Sequence, residues 1–161
     1  LDKIKQYYVK VDKTEHKFAA LIDLYGHVAI HKCIVFVNNI DEVNFLERSL
    51  CNHYFAIAVF HNRLTQSKLE EEINKFKIGE ARTMVSIDIP KGVSIAKSSL
   101  IFSYSLPPTV DLFLERVKRS FAFGAKNIIH ICTEEELKKL KIYTNQEIEE
   151  FPDNPNEIIT P

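Results

Sequence analysis

Two arginines, Arg116 and Arg119, stand three residues apart in a stretch of helical apolar spacing, so the sequence places both guanidiniums on one helix face, opposite Val117 and Phe121. A second group of polar residues follows strand-like runs. Asn39 follows the run at 34–37, Arg63 and Gln66 follow the run at 54–60, and Lys91, Gly92 and Ser94 follow the run at 83–87. Residues so placed read equally as ligand contacts or as caps of the next helix, and the arginine pair, like most such pairs, also reads as a solvated helix face. No GxxxxGK(S/T) stretch is present, so the chain cannot cradle phosphates by itself.

The remaining candidates are weaker. His27, His31 and Cys33 have a superficial metal-ligand spacing. However, the strand beginning at Cys33 breaks a helical presentation, and no second ligand pair exists. His130 and Cys132 fall in a strand expected to be core. No Ser/His/Asp or Cys/His pair has supporting spacing. The acidic runs at 70–72 and 134–136 read as solvated first turns of helices, favoured by the helix dipole.

The elements that must position these groups alternate in kind. Strands are predicted at residues 4–11, 33–37, 54–60, 83–87, 99–104 and 127–132. Helices are predicted at 16–25, 41–50, 65–76 and 134–140, with one more opened by Pro107 and Pro108. That last helix has the expected inner stripe Val110, Phe113, Leu114, Val117 and Phe121. Alternation of this kind implies an α/β domain, a mostly parallel sheet with helices on both faces. Ligands on such sheets sit at the strand carboxyl ends, here after Val37, Phe60, Ile87 and Tyr104. Residues 1–150 read as the domain and 151–161 as a C-terminal extension.

With 161 residues, 45% of them hydrophobic, the chain suffices for one domain with a real core. The net charge of −1 gives no global field for nucleic acid, so RNA contact would come from a local patch. Cys33, Cys51 and Cys132 are expected to be reduced and buried, which fits a cytoplasmic or nuclear protein. No apolar run reaches membrane-spanning length, so no membrane is expected as a partner. The chain opens at Leu1 without methionine or signal peptide, as expected of a piece of something longer.

An ordered set of segments carries a resemblance over nearly the whole chain. These are IVFVNN at 34–39, FAIAVFHNRLTQ at 55–66, FKIGEARTMVSID at 76–88, IPKGVSIAKSSLIFSYSLP at 89–107 and LERVKRSFAFG at 114–124. Together they resemble motifs IV, V and VI of the C-terminal, RecA-like domain of DEAD-box RNA helicases. The branch of eukaryotic initiation factor four-A is most alike, and the mRNA-export helicases come next.

The resemblance implies a three-layer RecA-like fold. It also implies ATP and RNA bound across a cleft with an N-terminal RecA-like domain, which would hold the magnesium and the P-loop. Arg116 and Arg119 would match the first two arginines of motif VI as catalytic fingers toward ATP, an effect that can reach about 10³–10⁵ in rate. Ala122 replaces the third arginine, Glu115 the histidine, and Phe121 stands where glycine is usual. In motif V, Ile87 replaces the RNA-binding threonine and Lys91 an arginine. Ser94 replaces the ribose-binding aspartate, and only Gly92 keeps its identity. ATP contacts would thus fall to Gly92, Ser94, Arg116 and Arg119, and RNA contacts to Asn39, Arg63, Gln66 and Lys91. The lost donors should weaken RNA binding by roughly tenfold to a thousandfold. The expected picture is a monomeric lobe that binds RNA weakly and is inactive alone, its parent either a weakened helicase or a pseudo-helicase that holds protein partners of RNA processing or translation.

Overall fold

The computed structural model describes residues 4–28, 32–88 and 100–152. Among the described residues seven strands form one sheet: β1 (Lys5–Lys10), β2 (Cys33–Phe36), β3 (Ile57–Phe60), β4 (Thr83–Ser86), β5 (Leu100–Ser103), β6 (Asn127–Cys132) and β7 (Glu149–Glu150). Five α-helices connect them: α1 (Lys17–His27), α2 (Ile40–Asn52), α3 (Gln66–Lys77), α4 (Val110–Ala122) and α5 (Glu134–Thr144). The strand order is β3-β4-β2-β5-β6-β1-β7, and every described pairing is parallel. The expected α/β architecture is therefore present.

The central strands are buried on both faces, as runs such as CIVF in β2 require. Their alternate residues feed two cores. Val35, Phe102 and Ile129 meet Leu21, Leu24, Val43, Leu46 and Leu50 of α1 and α2. Ile34, Ile101 and Ile128 meet Phe76, Phe113, Val117, Leu137 and Leu140 of α3, α4 and α5. Parallel strands point all their carboxyl ends to one edge, where four of the helices start at a side-chain cap. Asn39, Thr65, Thr109 and Thr133 each accept a backbone N–H from the first turn.

Several expectations need correction. In α4 the buried residues are Phe113, Val117 and Ser120, while Val110, Leu114 and Phe121 are exposed. The reason is tertiary: one helical phase puts Arg116 beside Phe113 and over the strand ends. The acidic runs are not wholly solvated. Glu72 is 1% exposed, and its carboxylate accepts the Val59 N–H at 3.1 Å, covering the open side of edge strand β3. Glu136 is half-buried and pairs with buried Lys17 at 2.8 Å. Tyr54 is not strand: it is exposed and left-handed at φ 66°. Cys51 is exposed, while Cys33 and Cys132 are buried. Helix α5 runs on to Thr144 and ends at Asn145 in the left-handed region. Phe151 at the start of the expected extension is tied down: its N–H donates to the Tyr8 carbonyl and its ring meets Tyr7 edge-on.

Candidate functional site

Residues that follow β2, β3, β4 and β5, those after β4 being Ile87 and Asp88, line an open groove of about 1070 Å³ at the carboxyl edge of the sheet. Asn38, Asn39, His61, Arg63, Ile87, Asp88, Leu112, Glu115 and Arg116 are among its lining. The strand ends singled out from the sequence thus converge on one place.

Arg116 occupies the back wall. Its Nη1 donates to the Ser103 hydroxyl at 3.1 Å and to the Ser105 carbonyl at 2.6 Å. Its Nη2 donates to the Val37 carbonyl at 3.3 Å and to Asn38 Oδ1 at 3.0 Å. The guanidinium also lies over the Phe36 ring, 5.2 Å from its centroid. Burial lowers its pKa to about 10, while the carboxylates of Glu42 and Asp88 oppose that shift. It remains a cation at neutral pH, and one planar fork ties the ends of β2 and β5 to α4.

Behind it lies a hydrogen-bonded bracket. Glu42 in the first turn of α2 accepts the Asn38 N–H at 3.1 Å and the Ser105 hydroxyl. Asn38 Nδ2 donates to the Leu106 carbonyl at 2.8 Å. Burial, with the Glu42 charge added, raises the Tyr104 phenol to about 12. Glu42, Ser103 and Ser105 were not singled out from the sequence. The Asn39-x-x-Glu42 spacing of a helix start was the signal available for Glu42; the serines carried none.

The other site candidates are placed as follows. Arg119 has Nε and Nη2 each 3.4 Å from Glu115 Oε1, one helical turn back. Asn39 uses its Oδ1 to cap α2 through the Glu42 N–H at 2.9 Å. Arg63 is exposed in the loop after β3, where its N–H donates to His61 Nδ1 at 3.2 Å. Gln66 is exposed on the first turn of α3 and donates to Glu70 at 3.2 Å. Lys91, Gly92 and Ser94 lie outside the described residues. The fold brings Asn39, Arg63 and Arg116 to one groove, and Gln66 follows directly on its β3 loop.

Cys33 is engaged in the core, where Tyr25 Oη lies 3.1 Å from its Sγ and 2.9 Å from the Thr83 hydroxyl. His31 lies outside the described residues. His130 is fully enclosed in β6; its Nε2 meets Gln6 Oε1 at 2.9 Å and its Nδ1 has no hydrogen-bond partner. Burial, with the Arg116 charge added, lowers its pKa to about 3. Among the described residues no helix is long and apolar enough to cross a membrane.

The model of the helicase conserved C-terminal domain matches residues 16–124. ATP-dependent RNA helicase FAL1 of Kluyveromyces lactis is 37% identical over 143 residues, covering 88% of this chain and 36% of that protein. ATP-dependent RNA helicase eIF4A of Meyerozyma guilliermondii is 29% identical over 163 residues, covering 98% of this chain and 41% of that protein. Among solved structures, S. cerevisiae Dbp5 bound to RNA and ADP BeF3 superimposes with a TM-score of 0.82 at 22% identity, covering 98% of this chain and 44% of that one. The chain therefore spans well under half the length of these curated relatives.

Proposed function

Because the chain belongs to the family of helicase conserved C-terminal domains, of the DEAD-box RNA helicase kind, we propose that it works as the second lobe of an ATP-dependent RNA-remodelling protein with a weakened share in catalysis. An N-terminal RecA-like lobe would hold ATP and magnesium, and the groove edge of this domain would face it. The observation that carries the weakening is the position of Arg116. All four of its described hydrogen bonds go to the domain's own Ser103, Ser105, Val37 and Asn38, so a phosphate would have to displace them. Arg119 then remains as the candidate finger, with Ala122 where a third cation is usual. Ile87 at the groove offers no side-chain donor to an RNA phosphate.

ATP contacts are assigned to Arg119 with Gly92 and Ser94, and RNA contacts to Asn39, Arg63, Gln66 and Lys91. Arg116 acts as an anchor of the groove wall. The isolated chain should show no ATP turnover, and the parent should turn over slowly. Restoring Ala122→Arg and Ser94→Asp together in the parent should raise RNA-stimulated ATPase activity. Fast RNA-stimulated turnover by the unaltered isolated chain would overturn this assignment.

A second reading is a pseudo-helicase that serves as a protein-binding scaffold. The same commitment of Arg116, with Glu115 set 3.4 Å from Arg119, favours it. Absence of any rate gain in the restored parent supports this reading over the first.

A further inference from the structure

We propose that Glu42 is the positioning residue of the groove wall: its carboxylate supplies the counter-charge for Arg116 and, acting through Asn38 and Ser105, decides whether that guanidinium lies on the sheet or swings into the groove. The assignment rests on the second-lobe reading for its consequence, because it names what withholds an arginine at the motif VI position from an anion bound there.

All four described acceptors of Arg116 are neutral: the Ser103 hydroxyl, the Ser105 and Val37 carbonyls and Asn38 Oδ1. Neutral acceptors orient a buried cation without offsetting its charge, and a buried cation left without an anion is costly. Two carboxylates act on this one, those of Glu42 and Asp88. Asp88 is exposed, where water screens it. Glu42 is half-buried in the first turn of α2, and Asn39 fixes that turn by accepting the Glu42 N–H at 2.9 Å.

Glu42 reaches the guanidinium at one remove. Its Oε1 accepts the Asn38 N–H at 3.1 Å, and its Oε2 accepts the Ser105 hydroxyl. Asn38 Oδ1 and the Ser105 carbonyl in turn accept Arg116 at 3.0 and 2.6 Å. One carboxylate therefore holds both residues through which α4 is tied to the loops after β2 and β5. Hydrogen bonds chained between a cation and an anion polarise and strengthen one another. Without the Glu42 charge these chains no longer end on an anion. The guanidinium then gains by moving into the open groove, where water solvates it.

Two measurements on the full chain test this, with thermal melts verifying that each variant is folded. Phenylglyoxal modification, mapped by mass spectrometry, should reach Arg116 at least about tenfold more slowly than exposed Arg63 and Arg82, since it must await a local opening. Glu42→Gln should speed modification of Arg116 at least about fivefold and leave Arg63 and Arg82 unchanged. Ser105→Ala cuts one of the two links and should shift the Arg116 rate the same way by less, which keeps the test open if Glu42→Gln does not fold. In urea, Glu42→Gln should raise the unfolding equilibrium constant about tenfold in the unaltered chain and less than about threefold in an Arg116→Met background. A carboxylate that only supported the start of α2 would cost the same in both. Modification of Arg116 as fast as Arg63 in the unaltered chain overturns the assignment, as does an Arg116 rate that neither variant moves. Equal losses in the two backgrounds also overturn it, and because neither readout uses ATP or RNA, that result leaves the second-lobe reading standing.

Discussion

Replacing Arg116 by alanine tests whether its guanidinium is an anchor or a free finger. The side chain makes four hydrogen bonds, two of them to main-chain carbonyls of the β2 and β5 ends. A hydrogen bond from a charged donor contributes about 1.5–3 kcal/mol when its partner would otherwise be left unsatisfied. The groove is open to water, so solvent can re-pair Asn38 and the Ser103 hydroxyl, and removing a buried cation recovers its desolvation cost. The two carbonyls and the lost contact with Phe36 dominate what remains, giving a net loss of about 3 kcal/mol. Arg116→Lys keeps the charge but not the fork, and should cost about half as much. Set against a total of about 5–15 kcal/mol, either change is measurable by urea unfolding followed by circular dichroism, with the denaturant slope unchanged. If Arg116→Ala loses less than about 0.5 kcal/mol, as surface changes do, the guanidinium faces solvent and the anchoring argument fails.

Three further outcomes follow from the same structure. His130 titrates near 3 in the folded state and near 6.5 when unfolded; between these values only the unfolded chain takes the proton. Stability should therefore fall as pH drops below about 6.5, by up to roughly 1.4 kcal/mol per pH unit, and His130→Leu should flatten that part of an acid-unfolding curve. Lys17 is buried, pairs with Glu136 and donates to the Tyr104 carbonyl at 3.0 Å. Lys17→Met should cost about 2–4 kcal/mol in urea, and Lys17→Met/Glu136→Gln should cost less than the sum of its parts. Tyr54 holds a left-handed backbone while 97% exposed, so Tyr54→Gly should raise the melting temperature, with a gain of about 0.5–1 kcal/mol; a lower melting temperature would mean the ring makes a contact that matters.

Under the proposed helicase-lobe role, the chemistry would turn on how cations are used rather than on how many there are. Of the two arginines at the motif VI position, Arg116 joins α4 to the ends of β2 and β5. The other stands one turn from a carboxylate, Glu115. A cleft that must stabilise charge on a transferring phosphoryl group needs cations whose donors are aimed at that group.

Period and composition were enough to place most elements, because burial on two faces demands unbroken apolar strands such as β2 and β3, and burial on one face demands helical spacing as in α2. The starts of the helices predicted at 65–76 and 134–140 fall within one residue of the observed ones, which begin at the caps Thr65 and Thr133. That a groove lies at the strand carboxyl ends followed from parallel connectivity alone. Side-chain direction was not legible. Whether Arg116 points to solvent or onto the sheet depends on the rotation of α4 about its axis, set by how Phe113, Val117 and Ser120 fill the space over β5 and β6. Likewise Glu72 is buried because β3 is an edge strand with an N–H to satisfy, and edge position belongs to the sheet order, which no local window of sequence contains.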